Sequence, residues 1–260
     1  MAGLFVSVHD PGGNGAAGDP ATVVFVHGSL DRSAAFARVQ RHLADLRVVR
    51  YDRRGYGRSL ALGPAPSFAA QVDDLEDVVA DQPAVVVGHS LGGVIALALA
   101  QRRPDLVRAV VAYESPMSWR PWWPTATAGS SAMAADVDAE AAAERFMRRM
   151  VGDERWEALP ERTRAQRRAE GPALVAEIRS VRDPDRPPYE PERVAVPVVA
   201  AHGTESVAHH RETARALAGE APHAELVTVE GASHGVHLTH PAELARLARI
   251  ALQRAEQAGR

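Results

Sequence analysis

A β-branched run, Ala84 to Val87, ends in Gly88-His89-Ser90-Leu91-Gly92-Gly93 and passes directly into an apolar stretch reaching about Arg103. A strand that becomes a helix within so few residues must turn sharply, and side chains two residues before and after the serine would collide there. Glycine at positions 88 and 92 removes them. The turn pushes the Ser90 hydroxyl out at the carboxyl end of the strand, where open α/β sheets place their ligands. The helix that begins after Ser90 also presents unpaired N–H groups, and the N–H of Leu91 is positioned to stabilise a developing oxyanion.

The rest of the chain reads as alternating strands and helices. Leu4 to His9 alternates like a strand, and Thr22 to Val26, Leu46 to Tyr51, Ala84 to Val87 and Arg108 to Tyr113 are short apolar or β-branched runs. Between them, Phe36, Val39 and Leu43 mark one helical face, and Phe68, Val72, Leu75 and Val79 another, with Ser67 as its N-cap. Each strand feeds a helix and returns parallel, which predicts an α/β fold with a mostly parallel sheet flanked by helices. The alternation breaks between Ser115 and Glu190, where two Arg- and Glu-rich helical stretches, Ala139 to Met150 and Glu161 to Arg182, predict an inserted helical cap. The expected organisation is a core of 1–114 and 191–260 and a cap of 115–190. The sheet resumes with Val196 to Ala201, a helix near Arg211 to Ala218, the strand Glu225 to Val229 and a last helix opened by Pro241. The segment Pro11 to Pro20 holds Gly12, Gly13 and Gly15 but leads into no helix, so it reads as a surface turn, not a phosphate cradle.

The series His27-Gly28, Asp52-Arg53-Arg54-Gly55-Tyr56-Gly57, Gly88-His89-Ser90-Leu91-Gly92-Gly93 and Gly231-Ala232-Ser233-His234 resembles the α/β-hydrolase superfamily, in its serine-nucleophile branch with a helical cap. The resemblance implies Ser90 as nucleophile, His234 as its base and the N–H groups of Ser29 and Leu91 as the oxyanion hole. It also implies a structural turn at Asp52 to Ser59. In the commonest family pattern an aspartate stands three residues after the glycine closing the penultimate strand, but here Gly203 is followed by Thr204, Glu205 and Ser206. A neutral hydroxyl cannot stabilise an imidazolium as a carboxylate does. Some relatives, a branch of haloalkane dehalogenases among them, carry the acid at the end of the strand after the nucleophile strand. Glu114 stands there, and Glu205 is the alternative acid.

Trp119, Trp122 and Trp123 follow Glu114 and are expected to form an apolar wall of the substrate pocket. His234, His237 and His240 recur at every third position, but the run ends at Pro241 without a carboxylate cluster, so no metal is expected from it. The chain has no cysteine, which excludes a thiol nucleophile, a thiolate metal site and disulfides. A formal charge of -3 gives no field favouring nucleic acid or an anionic membrane. With no leader-like start and no long apolar run, a cytoplasmic protein is expected, needing no cofactor and acting on a small-molecule acyl substrate.

These features point to a serine hydrolase cleaving an ester, lactone or related acyl substrate. Cofactor-free haloperoxidase or perhydrolase chemistry and carbon-carbon bond hydrolysis use the same frame. A noncatalytic small-ligand-binding protein of this fold is the alternative of a different class, favoured by Ser206 in the aspartate's place and opposed by the intact elbow and His234.

Overall fold

The odd and even residues of Thr22–Val26 (β2) face opposite ways, and both sets are buried. Val23 and Phe25 join one apolar cluster, Val24 and Val26 the other. A strand apolar on both faces belongs inside a sheet covered on both sides. The computed structural model describes residues 3–12, 21–80, 82–133 and 138–259. The remainder of the glycine-rich turn predicted for Pro11 to Pro20 lies outside them.

Seven strands form one sheet in the order β1-β3-β2-β4-β5-β6-β7. They are Val6–His9 (β1), β2, Arg47–Tyr51 (β3), Ala84–His89 (β4), Val107–Tyr113 (β5), Val198–Gly203 (β6) and Ala224–Val229 (β7). Only β1, at the edge, runs antiparallel to its neighbour β3. The α/β expectation is met, with strand boundaries shifted by no more than two residues. The first helical face is broken: the α-helical turn Ala37–Gln40 (α1) lies between two 3-10 turns, although Phe36, Val39 and Leu43 are all buried as the pattern required.

Helices Phe68–Val79 (α2) and Leu91–Arg102 (α3) cover one face of the sheet. Ser67 caps α2, its side chain accepting from the Ala70 N–H at 3.1 Å.

Between β5 and β6 the described residues contain no strand, only Ala128–Ala132 (α4), Ala139–Val151 (α5), Asp153–Glu157 (α6), Glu161–Ala169 (α7), Gly171–Ser180 (α8) and the 3-10 turn Pro191–Arg193. The second long helix expected here is split at Gly171-Pro172. Proline cannot donate the helical hydrogen bond, and a side chain at 171 would run into the Ala139 carbonyl. These helices bury their own apolar cluster around Ala142, Ala143, Leu174 and Ile178, which takes in Leu30 and Tyr56 from the core. One buried ion pair joins the two parts: Arg53 donates to Glu177 at 2.9 Å, with only 2% and 3% of the side chains exposed. Removing either partner alone would strand a charge away from water, at about 3–5 kcal/mol.

After β6 come Ala208–Glu220 (α9), β7, the short turn Val236–Thr239 (α10) and Pro241–Ala258 (α11), which closes the other face. No helix among the described residues is long and apolar enough to cross a membrane.

Candidate active site

The carboxyl ends of β2, β4 and β5 carry three residues with backbone in the left-handed region: Leu30 (φ 50), Ser90 (φ 53) and Glu114 (φ 49). Each conformation costs about 1–3 kcal/mol in a residue with a side chain, and such strain gathers where geometry is imposed by function. Ser90 and Glu114 are locked in by the sheet itself. The Ser90 N–H donates to the Tyr113 carbonyl and the Glu114 N–H to the Ala201 carbonyl, each at 2.9 Å, so each residue prolongs a parallel ladder by one bond.

The glycines of the turn are needed, since side chains there would meet backbone: a Cβ on Gly88 would lie 2.5 Å from the Gly92 carbonyl oxygen. A side chain on Gly88 would strike the backbone of Gly93, whereas one on Gly92 would strike the Val26 and His27 carbonyls at the end of β2. Gly28 is the third close approach: a Cβ there would lie 2.9 Å from that of Ser90. The loop of His27 to Ser29 thus passes directly beside the candidate nucleophile.

That loop is held by a buried network. The Arg53 N–H donates to His27 Nε2 at 2.8 Å, which leaves the proton on Nδ1 to donate to the Gly28 carbonyl, also at 2.8 Å. Burial, then the Arg53 charge, lower the His27 pKa to about 3, so this ring stays neutral. Arg53 Nη2 donates to the same Gly28 carbonyl at 3.0 Å. Because the peptide is trans and planar, a carbonyl pinned to one side turns the N–H of Ser29 to the other. The Asp52 to Ser59 turn therefore acts as a brace, as expected: Asp52 accepts from the Ser33 N–H at 2.7 Å and the Arg58 N–H at 2.8 Å.

Glu114 is fully buried, with 0% exposure. Its Oε2 accepts from His234 Nδ1 at 2.8 Å across 120 positions of sequence. Its Oε1 accepts from the Gly203 N–H at 3.0 Å and from the Ser206 hydroxyl. Ser206, where the resemblance led to expecting an aspartate, thus donates to the Glu114 carboxylate. Glu205 is exposed and its N–H is bound to the Ala232 carbonyl, so of the two glutamates only Glu114 meets the histidine.

The loop bearing His234 is pinned by the residues immediately before Ser90 and Glu114. His89 Nε2 donates to the His234 carbonyl at 2.7 Å and the Tyr113 hydroxyl to the Ser233 carbonyl at 3.0 Å. His234 and Ser90 are both half-buried.

One participant was missed by the sequence reading. His210, in the first turn of α9, lies with Nδ1 2.9 Å from Glu114 Oε2 and stacks on His234 with ring centroids 4.4 Å apart. The only sequence signal was the His209-His210 pair four residues after Ser206. Burial would raise the Glu114 carboxyl, but the neighbouring His210 and His234 overcome it and hold it well below the usual carboxylate range. At His234, burial and the nearby His210 lower the pKa while Glu114 opposes them, and the net shift is downward.

The aromatic wall is smaller than expected. Trp119 is buried edge-on to Tyr189, 5.3 Å between centroids, in the apolar cluster on the α2–α3 face. Trp122 is 40% exposed. Trp123 alone joins the histidines, edge-on to His209 at 4.9 Å. Ligand-type atoms cluster in two groups, Glu114, His210 and His234 and, beside the elbow, Asp31, His89 and His237.

The sequence profile of the Alpha/beta hydrolase family matches residues 23–247. The chain belongs to the alpha/beta hydrolase family. Among curated members, lipase LipV of Mycobacterium tuberculosis is 37% identical over 94 residues, 35% of this chain and 36% of that protein. The pimeloyl-[acyl-carrier protein] methyl ester esterase of Chromobacterium violaceum is 38% identical over 135 residues, 50% of this chain and 51% of that protein. The matches thus span between a third and a half of these relatives. Among solved structures of the fold, the enol-lactonase of Burkholderia xenovorans superposes with a TM-score of 0.72 at 21% identity, covering 96% of each chain. This alpha/beta hydrolase therefore shares its whole fold with proteins that differ from it at four of five positions, and the relatives it matches by sequence are named for hydrolysis.

Proposed function

We propose that this alpha/beta hydrolase cleaves an ester, lactone or related acyl substrate through a Ser90–His234–Glu114 triad. The observation that carries the reading is the 2.8 Å contact from His234 Nδ1 to the buried Glu114 carboxylate. A proton held at Nδ1 leaves the Nε2 lone pair free to take the Ser90 proton as the hydroxyl attacks the acyl carbon. The oxyanion rests on the N–H groups of Ser29 and Leu91, the first turned by the pinned Gly28 carbonyl and the second at the start of α3. His234 returns the proton to the leaving group, and water, activated by the same nitrogen, releases the acyl group from Ser90. The helices between β5 and β6 act as a cap, with Trp123 as the aromatic side chain nearest the histidines. The ester-cleaving names of the sequence relatives point the same way.

Rapid mixing with an activated aryl ester tests the reaction. A burst of one aryl leaving group per chain is expected, with a mass increase equal to the acyl group on the peptide containing Ser90. Tight ester binding without any burst would instead support a receptor.

The acid limb of activity should report His234. Since its pKa is lowered, protonation that blocks the base requires more acid than for an ordinary histidine at about 6.5, so kcat/KM should hold its plateau below that pH. His210→Asn removes a neighbour that depresses this pKa, so the acid limb should move to higher pH. A pH profile of kcat/KM that stays in place or moves down would remove His210 from this role.

A further inference from the structure

Strand order sets a second polar group on the other side of the nucleophile strand from Glu114: Asp31 in the loop after β2, His89 at the end of β4 and His237 in α10. We propose that Asp31, His89 and His237 form a binding site for a divalent transition metal of the zinc class, distinct from the Glu114 group and independent of the acyl-transfer reading. One ligand atom from each residue lies within 4.8 Å of the others. Asp31 Oδ2 and His237 Nε2 are 3.2 Å apart. Ligands of a tetrahedral ion with bonds of about 2.0–2.1 Å stand about 3.3 Å from each other, so this pair already has the spacing of two neighbours on one ion.

The orphaned atoms of the group point the same way. His89 Nδ1 and Asp31 Oδ2, the atoms these two residues would turn to the ion, are buried with no hydrogen-bond partner among the described residues. Asp31 and His237 approach closely without hydrogen-bond alignment, as two ligands of a shared ion do. His89 is set up as a ligand by its other nitrogen: Nε2 donates to the His234 carbonyl, which fixes the proton there and bares the Nδ1 lone pair. Metal-bound imidazoles are ordinarily held in this way by a carbonyl or carboxylate. The two histidines are each 4% exposed while Asp31 is half-buried, which leaves a way in on the carboxylate side. Two imidazoles and one carboxylate suit zinc, cobalt or nickel far better than calcium or magnesium. The ion would join the oxyanion loop, the nucleophile strand and the base loop, the three segments whose mutual placement the site requires.

The sequence reading found no metal because it grouped His237 with its neighbours His234 and His240. The partners that complete a ligand set come from the ends of two strands that sequence separates and the sheet brings together.

The test uses untagged full-length protein stripped with a chelator and titrated with cobalt(II), followed by visible ligand-field absorption and metal analysis. One cobalt per chain is expected, displaced by zinc. Asp31→Asn and His237→Gln should each weaken binding at least about 10- to 100-fold, the loss typical even for outer-sphere changes, while His210→Asn should leave it intact. On the wild-type protein, zinc-edge X-ray absorption should show two imidazoles on the bound ion, and a shell without them overturns the assignment even if a variant does not fold. No saturable binding, which would leave only water in the group, overturns the proposal. So does binding that survives both substitutions or is lost in His210→Asn, which would move the ion to the Glu114 group.

Discussion

Ser90→Ala is expected to lower turnover of an activated ester by about 10⁶-fold and to erase the burst, while leaving the fold in place. The magnitude follows from removing the atom that forms the acyl bond: neither His234 nor the oxyanion donors can substitute for it, and nucleophile loss in a serine triad costs about that much. The fold survives because alanine keeps the Cβ that serine already places in the strained φ 53 conformation, and the Ser90 N–H still reaches the Tyr113 carbonyl. Steady-state kinetics and thermal unfolding of the purified variant check both halves. Turnover within tenfold of the parent, in protein shown free of wild-type contamination, would end the serine mechanism.

The second large effect is expected at Glu114. Glutamine at this position matches the carboxylate in size and can still accept from the Gly203 N–H, but it then offers an NH₂ group to His234 Nδ1. The imidazole must respond with the wrong tautomer, its proton on the nitrogen that faces Ser90. A comparable aspartate-to-asparagine change in a serine protease triad costs about 10⁴-fold in kcat, and a loss of that order is expected for Glu114→Gln. Glu205→Gln, on an exposed side chain, should change kcat less than about twofold. The Ser206 hydroxyl already touches Glu114 from the position where relatives carry an aspartate. Adding Ser206→Asp to Glu114→Gln should therefore restore part of the lost rate by supplying the carboxylate from β6 instead of β5. If Glu114→Gln leaves kcat within tenfold, the acid is elsewhere.

Both substitutions act on the same proton path, so their effects should not add: once the nucleophile is gone, changing its base's partner removes little more.

Local chemistry was enough to read the frame. Valine-rich strands buried on both faces, amphipathic helices between them and glycines at 88 and 92 leave few arrangements other than a parallel sheet with an elbow at Ser90. The turn chemistry is contained within a few residues, so the sequence displays it. The structure added a neighbour from outside the turn, since a side chain on Gly92 would strike the end of β2.

Longer-range choices had to wait for packing. Glu114 and Glu205 were both admissible by chain order, and what separates them is that β5 and β6 are neighbours, which lines up Gly203 and Ser206 as donors to a carboxylate at the end of β5. His210 stacked on His234, the Arg53 brace behind Gly28 and the split of the expected Glu161 to Arg182 helix likewise depend on contacts between distant segments. The sequence by itself determined most of the strands and helices and the sharp turn that carries Ser90, because backbone sterics and hydrophobic periodicity act over a few residues. Only the tertiary structure decided which buried charge meets which imidazole, because burial and hydrogen-bond partners belong to the packed chain and have no local spacing to announce them.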